Sequence, residues 1–564
     1  SLMTSFVSPV DGSEYILVSN NNRSEVAVLV WSVETNKGVR LSHSSGQVSC
    51  LCASAESDVL VTGHAQGVIT VWHSISSTIN QLFKSTSELP NSTNDIVNVG
   101  SDIVIAKSLL HWHAHTVITV CLSADGRRLL SGGSENVVVV WRTSGSAIDE
   151  KTFIPRLGAP IASLVTSEDS AQVVVTTSDN SLRVINMASV REDWVYRSIS
   201  IHTAISHTAI QINPRTKYLT VNGLPGYLQD FDPSDLNLKH SHQVLHFVPV
   251  SKRESNSKTY IPTIKLFAFN HSDVNNLCTV DERSGEQLST EESMKMWIYS
   301  EISGEYKLSA QIDRPHGQSR VTAITYRPRK NETSKRVQLL SASDDGTIKM
   351  WSHSSSQADV WSCDYSFKYR ESPIHSVSFS VDGSTLSVAQ GLTVHLLDPN
   401  TLSIRVSLCL PLKGQVLFTA FIEPKATTIN CGSGDAYLLI ASSRLMRVYD
   451  LRNLQPIYNY PVPQGGSITA IASTNDSKHG VKSYSHPIIA VAQSNKNNHS
   501  LLLFGLRDEK PISVNALTSS IRSIIISDNY SGVFVLTNSG DIFSFNESTS
   551  RLVSTATPII YKQQ

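Results

Sequence analysis

From His111 to Trp141 the apolar positions fall into three short runs divided by turn residues. Val117 to Leu122 alternates large apolar with smaller side chains, and Ala124-Asp125-Gly126 is a turn signal. Arg128 to Ser131 restarts an extended run, Gly132 to Asn136 turns again, and Val137 to Trp141 is a β-branched run closed by an aromatic. Strand, turn, strand, turn, strand ending in Trp predicts one blade of a β-propeller.

The same pattern recurs in about eleven segments. A weak one holds Tyr15 to Val18 and Val26 to Trp31. A clear one holds Val48 to Cys52, Val59 to Thr62 and Gly67 to Trp72, with Gln66 where an acid belongs. After the His111 segment comes Ile161 to Asn186, then His207 to Asp232, Lys265 to Tyr299 and Arg320 to Trp351. The last four are Ile374 to Asp398, Val416 to Leu451, Ile468 to Leu506 and Ile521 to Phe545. Propellers close at typically 4–8 blades, and about seven suit this blade type. The expected fold is therefore all-β: tandem WD-repeat β-propellers, the N-terminal one incomplete. Residues 1–200 would hold about four blades, 201–547 about seven, and 548–564 a C-terminal tail. The chain does not begin with Met, and about three blades are expected to be missing from the first ring. Alternatively that ring borrows strands from Thr78 to Ile105. Polar inserts at Ser251 to Lys258, Asp281 to Ser293 and Arg327 to Arg336 read as loops.

Composition adjusts this picture little. The 564 residues are 40% hydrophobic and 17% charged, as in a globular chain, and too many for one ordinary core. With 47 basic against 48 acidic residues there is no global basic footprint for nucleic acid, so any RNA contact must be local. Seven scattered Cys without a CxxC pair argue against a disulfide framework and for a reducing compartment. Cys50 and Cys52 read as core thiols. No apolar run approaches the ~20 residues that span a bilayer, so no membrane role is expected. SLMTSFVSPV lacks the features of a signal peptide. The N-x-S/T triplets at Asn91 and Asn331 carry little weight without one.

The candidate chemistry is structural first. In WD-type blades a His before the first strand, a Ser or Thr on the second, an acid at the tight turn and a Trp on the third form one hydrogen-bonded chain. His113, Ser131, Glu135 and Trp141 hold those places, with Glu for the usual Asp. His316, Ser341, Asp345 and Trp351 hold them in the most complete segment. The histidines of HWHAH (His111, His113, His115) have no Cys, Asp or Glu at ligand spacing, so no metal is expected. No GxSxG elbow and no GxxxxGK[ST] loop occurs, so no catalytic residue, cofactor or small-molecule substrate is expected. Arg327, Arg329, Lys330, Lys335 and Arg336 concentrate charge in one loop, as do Lys252, Arg253 and Lys258 in another. The first run is a candidate for RNA phosphate contact, against the alternative of a solvated insertion.

Several segments exceed the generic blade. LLHWHAH with LSGGSENVVVVWR and then FIPRLGAPI resembles the WD-repeat subunit family of the UtpA (t-UTP) subcomplex of the small-subunit processome. That is the family of WD repeat-containing protein seventy-five and U three small nucleolar RNA-associated protein seventeen. INPRTKYLTVNGLPGYLQ (Ile212 to Gln229), ESMKMWIYSEISGEYKLSAQIDRPHG (Glu292 to Gly317) and WSCDYSF (Trp361 to Phe367) are similar to it in the same order. The resemblance implies a non-enzymatic scaffold in the nucleolus that works with the other UtpA/t-UTP subunits on the 5′ region of pre-rRNA. It implies support for pre-rRNA transcription and for processing towards small-subunit rRNA. Fold alone also admits a ubiquitin-ligase substrate receptor or a vesicle coat subunit.

Overall fold

The computed structural model describes residues 2–562 apart from 9–11, 23–24, 43–45, 55, 88–95, 99–104, 144–149, 155–156, 198, 200–208, 246–262, 286–287, 330–335, 355–359, 411–413, 424–435, 475–487, 496–497, 528–531, 547–552 and 555–560. The chain is nearly all β, arranged in eleven sheets of four or five strands. It divides into two compact units. One comprises Ser1–Ser198, Val248–Thr259 and Pro558–Gln564; the other comprises Ile199–Phe247 and Tyr260–Thr557.

Each sheet is built on a meander whose strands pair with their sequence neighbours, and in three sheets the last strand comes from further along the chain. The third sheet runs Val117–Leu122, Arg128–Gly133, Val138–Arg142 and Lys151–Ile154, every pair antiparallel. Second strands are covered on both faces: every residue of Val59–His64, Leu386–Gln390 and Tyr437–Ser442 is buried. Near-continuous Val, Ile, Leu and Ala at these positions is what such burial requires. First strands share a second device. The register slips one residue after the opening apolar side chain, at Val48/Cys50, Val117/Thr119, Val321/Ala323, Ile374/Ser376 and Ile521/Ser523 among others. A bulge there adds twist to the strand.

Apolar clusters form between blades. In the second unit seven sheets give seven such clusters, and the last one closes the ring. It joins Ile210, Leu219, Val221 and Phe231 of the first blade to Phe534, Leu536 and Ile542 of the seventh. The Ile210 N–H also donates to Ser523 Oγ at 3.3 Å. This unit is a seven-bladed propeller. The first unit holds four blades joined by three clusters of the same kind.

Four expectations are corrected. Asp281 to Ser293, expected as a loop, is mostly the paired ends of two strands, Asn276–Gly285 and Leu288–Ser300. Blades have a fourth, outer strand that the apolar pattern does not announce, because its side chains alternate between half-buried and exposed, as in Ile404–Cys409. The stretch from Thr78 to Ile105 is not simply strand: Ile75–Ser87 is a helix. Ile75 and Ile79, one turn apart, are fully buried in the first core cluster, and Asp58 Oδ1 accepts the Ser76 N–H at 2.8 Å as an N-terminal cap. Further on, Ile96–Asn98 lies parallel to Lys37–Ser42 as a fifth strand. Nor is 548–564 only a tail. Val553–Ser554 is the fourth strand of the seventh blade, and Tyr561–Lys562 pairs with Trp194 and Val195 as a fifth strand in the first unit. Both satisfy peptide groups on an otherwise open sheet edge. Among the described residues no helix is long and apolar enough to cross a membrane.

Candidate functional site

The first tetrad is a complete chain. Trp141 Nε1–H donates to Ser131 Oγ at 2.8 Å, and that oxygen lies 2.8 Å from His113 Nε2. His113 Nδ1 is 3.0 Å from Glu135 Oε2, and Glu135 Oε1 accepts the His115 N–H at 2.8 Å. A carboxylate only accepts, so Nδ1 carries the proton, and in a neutral ring Nε2 then takes the Ser131 hydroxyl hydrogen. His113 and Ser131 are fully buried. Gly133 makes the link possible, because a Cβ there would stand 2.6 Å from Glu135 Oε2 and 3.3 Å from His113 Nδ1. Burial opposes the Glu135 charge, but the bonds to His113 and to the His115 N–H outweigh it and hold the carboxyl below the usual range.

That geometry predicts the effect of the generic acid. Glu135→Asp shortens the arm and should lose about 2 kcal/mol at neutral pH, the scale of a charge-assisted hydrogen bond. Because the folded carboxyl is depressed, the parent keeps this contribution above the unfolded pKa and loses it as pH falls through the folded value. Denaturant midpoints of the two proteins should therefore converge in acid. Equal midpoints at neutral pH would show that the acid bears no load.

The second tetrad is incomplete. His316 Nε2 lies 2.8 Å from Ser341 Oγ, and Trp351 Nε1–H donates to the same oxygen at 2.9 Å. Asp345 does not join them. Its carboxylate accepts the Thr347 N–H at 2.9 Å and the Thr347 hydroxyl at 2.8 Å, and His316 Nδ1 has no hydrogen-bond partner among the described residues. Two differences accompany this: Asp345 is one methylene shorter than Glu135, and the residue at position 343 is not glycine. Ser343 stands at the register position held by Gly133 in the first tetrad, each opposite the opening Val of its blade. Its hydroxyl engages Asp344 Oδ1 at 3.3 Å, and the Asp345 side chain turns into its own loop. Burial, and then the Lys349 charge, lowers the His316 pKa to about 4.

Other blades brace themselves with residues that the generic pattern misses. Trp297 Nε1–H donates to Thr279 Oγ1 at 2.9 Å. Thr220 Oγ1 donates to the buried Asp230 at 2.6 Å, and His242 Nε2 sits 3.1 Å from the other Asp230 oxygen. Where Gln66 replaces the acid, His64 bonds inside its own sheet to Thr62 and Thr70, 3.2 Å from each.

Of the basic run, Arg327 and Arg336 carry structural bonds. Half-buried Arg327 donates to Gln338 Oε1 at 2.9 Å in its own blade, and to Gly383 O at 2.9 Å and Asn400 Oδ1 at 2.8 Å in the next. Arg336 donates to Ser352 Oγ at 3.0 Å and Asp364 Oδ2 at 2.6 Å. Arg327 and Arg336, two of the candidates for RNA phosphate contact, thus hold protein partners, and the Arg336 side chain remains half exposed. Arg329 keeps Nη2 buried with no hydrogen-bond partner among the described residues. Lys330, Lys335, Lys252, Arg253, Lys258, Asn91 and Asn331 lie outside the described residues.

The histidines of HWHAH do not share a strand face: His111 ends one strand, while His113 and His115 lie in the following loop. Among the described residues no group of His, Cys, Asp and Glu could hold a metal ion. Burial raises the Cys50 thiol to about 12 and the Cys52 thiol to about 11, as suits core groups.

Two segments outside the generic pattern lock onto each other. Arg215, in the turn after Ile210–Ile212, lies 3.8 Å over the Tyr299 ring. It donates to Asn275 Oδ1 and to Glu301 Oε2, both at 2.8 Å.

Comparison with known proteins matches the same two regions. A family model for the first β-propeller of WD repeat-containing protein 75 matches residues 97–180, and one for its second β-propeller matches 210–440. A WD-domain, G-beta repeat model matches 36–73. Human WD repeat-containing protein 75 is 27% identical over 71% of this chain and 45% of its own length. The Xenopus laevis protein of that name is 26% identical over 63% of this chain and 39% of its own. U3 small nucleolar RNA-associated protein 17 of Schizosaccharomyces pombe is 23% identical over 68% and 50% respectively. The chain thus spans half or less of the length of each of these relatives.

Proposed function

The chain belongs to the WD repeat-containing protein 75 family, whose two propeller models together match more than half of it, and from that premise we propose that it is a non-enzymatic scaffold subunit of the small-subunit processome. In this reading it works in the nucleolus beside the other UtpA/t-UTP subunits, on the 5′ region of pre-rRNA. It supports pre-rRNA transcription and processing towards small-subunit rRNA. The observation that carries the reading is the match to both propellers, in order, on a chain with a relative named for U3 small nucleolar RNA. The tetrads support it from the side of chemistry, since their His, Ser and Trp groups brace blades. Blade rims and faces are then the surfaces left for recruiting partners.

Affinity purification of the tagged chain from nucleolar extract tests this. Other UtpA/t-UTP subunits and 5′ pre-rRNA should be recovered. Recovery of cullin adaptors or vesicle coat subunits in their place would overturn the assignment.

A further inference from the structure

In the seven-bladed unit a cavity of about 440 Å³ opens where the first strands of blades one, two, three and seven end. Ile212, Phe269, Tyr326 and Ser527 are the terminal or flanking residues of those strands, and all four line it. First strands touch the first strands of neighbouring blades around the ring, so the cavity sits at one mouth of the central channel. Its polar lining includes Lys217, His271, Asn270, Ser272, Thr325, Gln211, Ser527 and Tyr326, and no Asp or Glu is among the lining residues described.

The sequence builds this mouth deliberately. Lys217 stands in the Asn213–Tyr218 turn at φ 64°, its N–H bonded to Asn213 O at 2.8 Å. Asn213 Oδ1 accepts the Arg215 N–H at 3.0 Å, and the Arg215 side chain is pinned to Tyr299, Asn275 and Glu301 as described above. The turn that carries Lys217 is therefore fixed, while Lys217 itself is exposed and has no acidic partner among the described residues. Across the cavity, the Asn270 side chain holds the next turn by accepting the Ser272 N–H at 3.0 Å and the Asp273 N–H at 3.1 Å. His271 projects from that turn. It is open to water, yet it lies in a concavity where the surrounding protein, and then the Lys217 charge, disfavour its protonation. Arg329 follows the wall residue Pro328, and its N–H donates to Ser272 Oγ at 2.9 Å. Its buried Nη2 adds positive potential beside the wall, and Asp273, in the turn of His271, is a carboxylate whose charge reaches the wall residue Tyr326.

We infer that this channel mouth binds a phosphodiester of single-stranded RNA, with Lys217 and His271 facing the phosphate and the neighbouring amides and hydroxyls meeting phosphate and sugar oxygens. The inference rests on the function proposed above and names the site through which RNA is held. At about 440 Å³ the cavity is on the scale of a single nucleotide rather than a duplex. A phosphorylated peptide presents a dianion, which protein sites meet with clusters of forked guanidinium groups. Here Arg215 and Arg327 are spent on protein partners. One lysine among neutral donors suits the single charge of a diester.

The test uses the full chain, a fluorescent oligouridylate of about eight nucleotides, and anisotropy between about 50 and about 200 mM salt. Lys217→Gln should weaken binding about five- to tenfold and reduce the slope of log affinity against log salt by about 0.7, one single-strand phosphate contact. His271→Asn should weaken binding with a smaller change in slope, and unfolding midpoints of both variants should match the parent. Unchanged oligouridylate affinity and slope in Lys217→Gln would overturn the site. So would a phosphoserine peptide that binds more tightly than the RNA and loses its binding in that variant. Neither result touches the scaffold assignment, which stands or falls on the proteins recovered in the purification.

Discussion

Gly346→Ala is expected to destabilise the seven-bladed unit by about 3 kcal/mol or more, read from the guanidinium midpoint, whereas Gly391→Ala in the same unit should cost about 1 kcal/mol. Both glycines have positive φ, 82° and 61°, so an alanine is strained at either. They differ in what a side chain would meet. Nothing stands within 4 Å of a Cβ at Gly391. At Gly346 the Cβ would lie 2.0 Å from Arg370 O, 2.8 Å from Gln390 Nε2 and 3.0 Å from Ser372 O. Those atoms belong to the entry of the next blade, where Gln390 Nε2 donates to Arg370 O at 2.8 Å and Ser372 O at 3.0 Å. The methyl group must push backbone away and break the amide clamp that holds it. Equal costs at the two positions would show that strain alone matters and that the blade-to-blade contact does not.

The same local geometry decides what was legible in the sequence. First, second and third strands were legible because Leu339, Leu340 and Ala342, or Val59 to Val61, are buried and must be apolar. Fourth strands such as Leu238–Gln243, LKHSHQ, were not, because no residue of that strand is buried and its pattern is that of a loop. The helix Ile75–Ser87 hides for another reason. Its NQLFKSTS half carries few apolar residues, and its anchor is a cap from Asp58, distant in sequence. The tetrads were legible as residue types, but closure was not. The acid reaches the histidine where Glu135 has the longer arm and Gly133 leaves room for it, and does not where Asp345 is shorter and Ser343 stands in place of glycine. Charge density along the chain does not report geometry: Arg327 and Arg336 hold protein partners that the sequence does not announce, while Lys217 and His271 meet from separate segments.

Ser341→Ala carries the second large effect. The Ser341 oxygen accepts from Trp351 Nε1 and neighbours His316 Nε2, and all three residues are buried. Removing it leaves two buried nitrogens unpaired at about 1–3 kcal/mol each, so a loss of about 2–6 kcal/mol is expected. Its pH dependence separates this loss from a general loosening. Folded His316 titrates near 4 against 6.5 for the free side chain. Between those values the unfolded chain binds the extra proton, so stability is full above 6.5 and falls as pH drops towards 4, by at most about 3 kcal/mol. Burial and Lys349 cause that depression, and the serine does not, so the Ser341→Ala curve should run below the parent curve and parallel to it. His316→Asn should instead flatten the curve across this window. A Ser341→Ala protein within 1 kcal/mol of the parent at neutral pH would mean that the shared hydroxyl does not brace the blade.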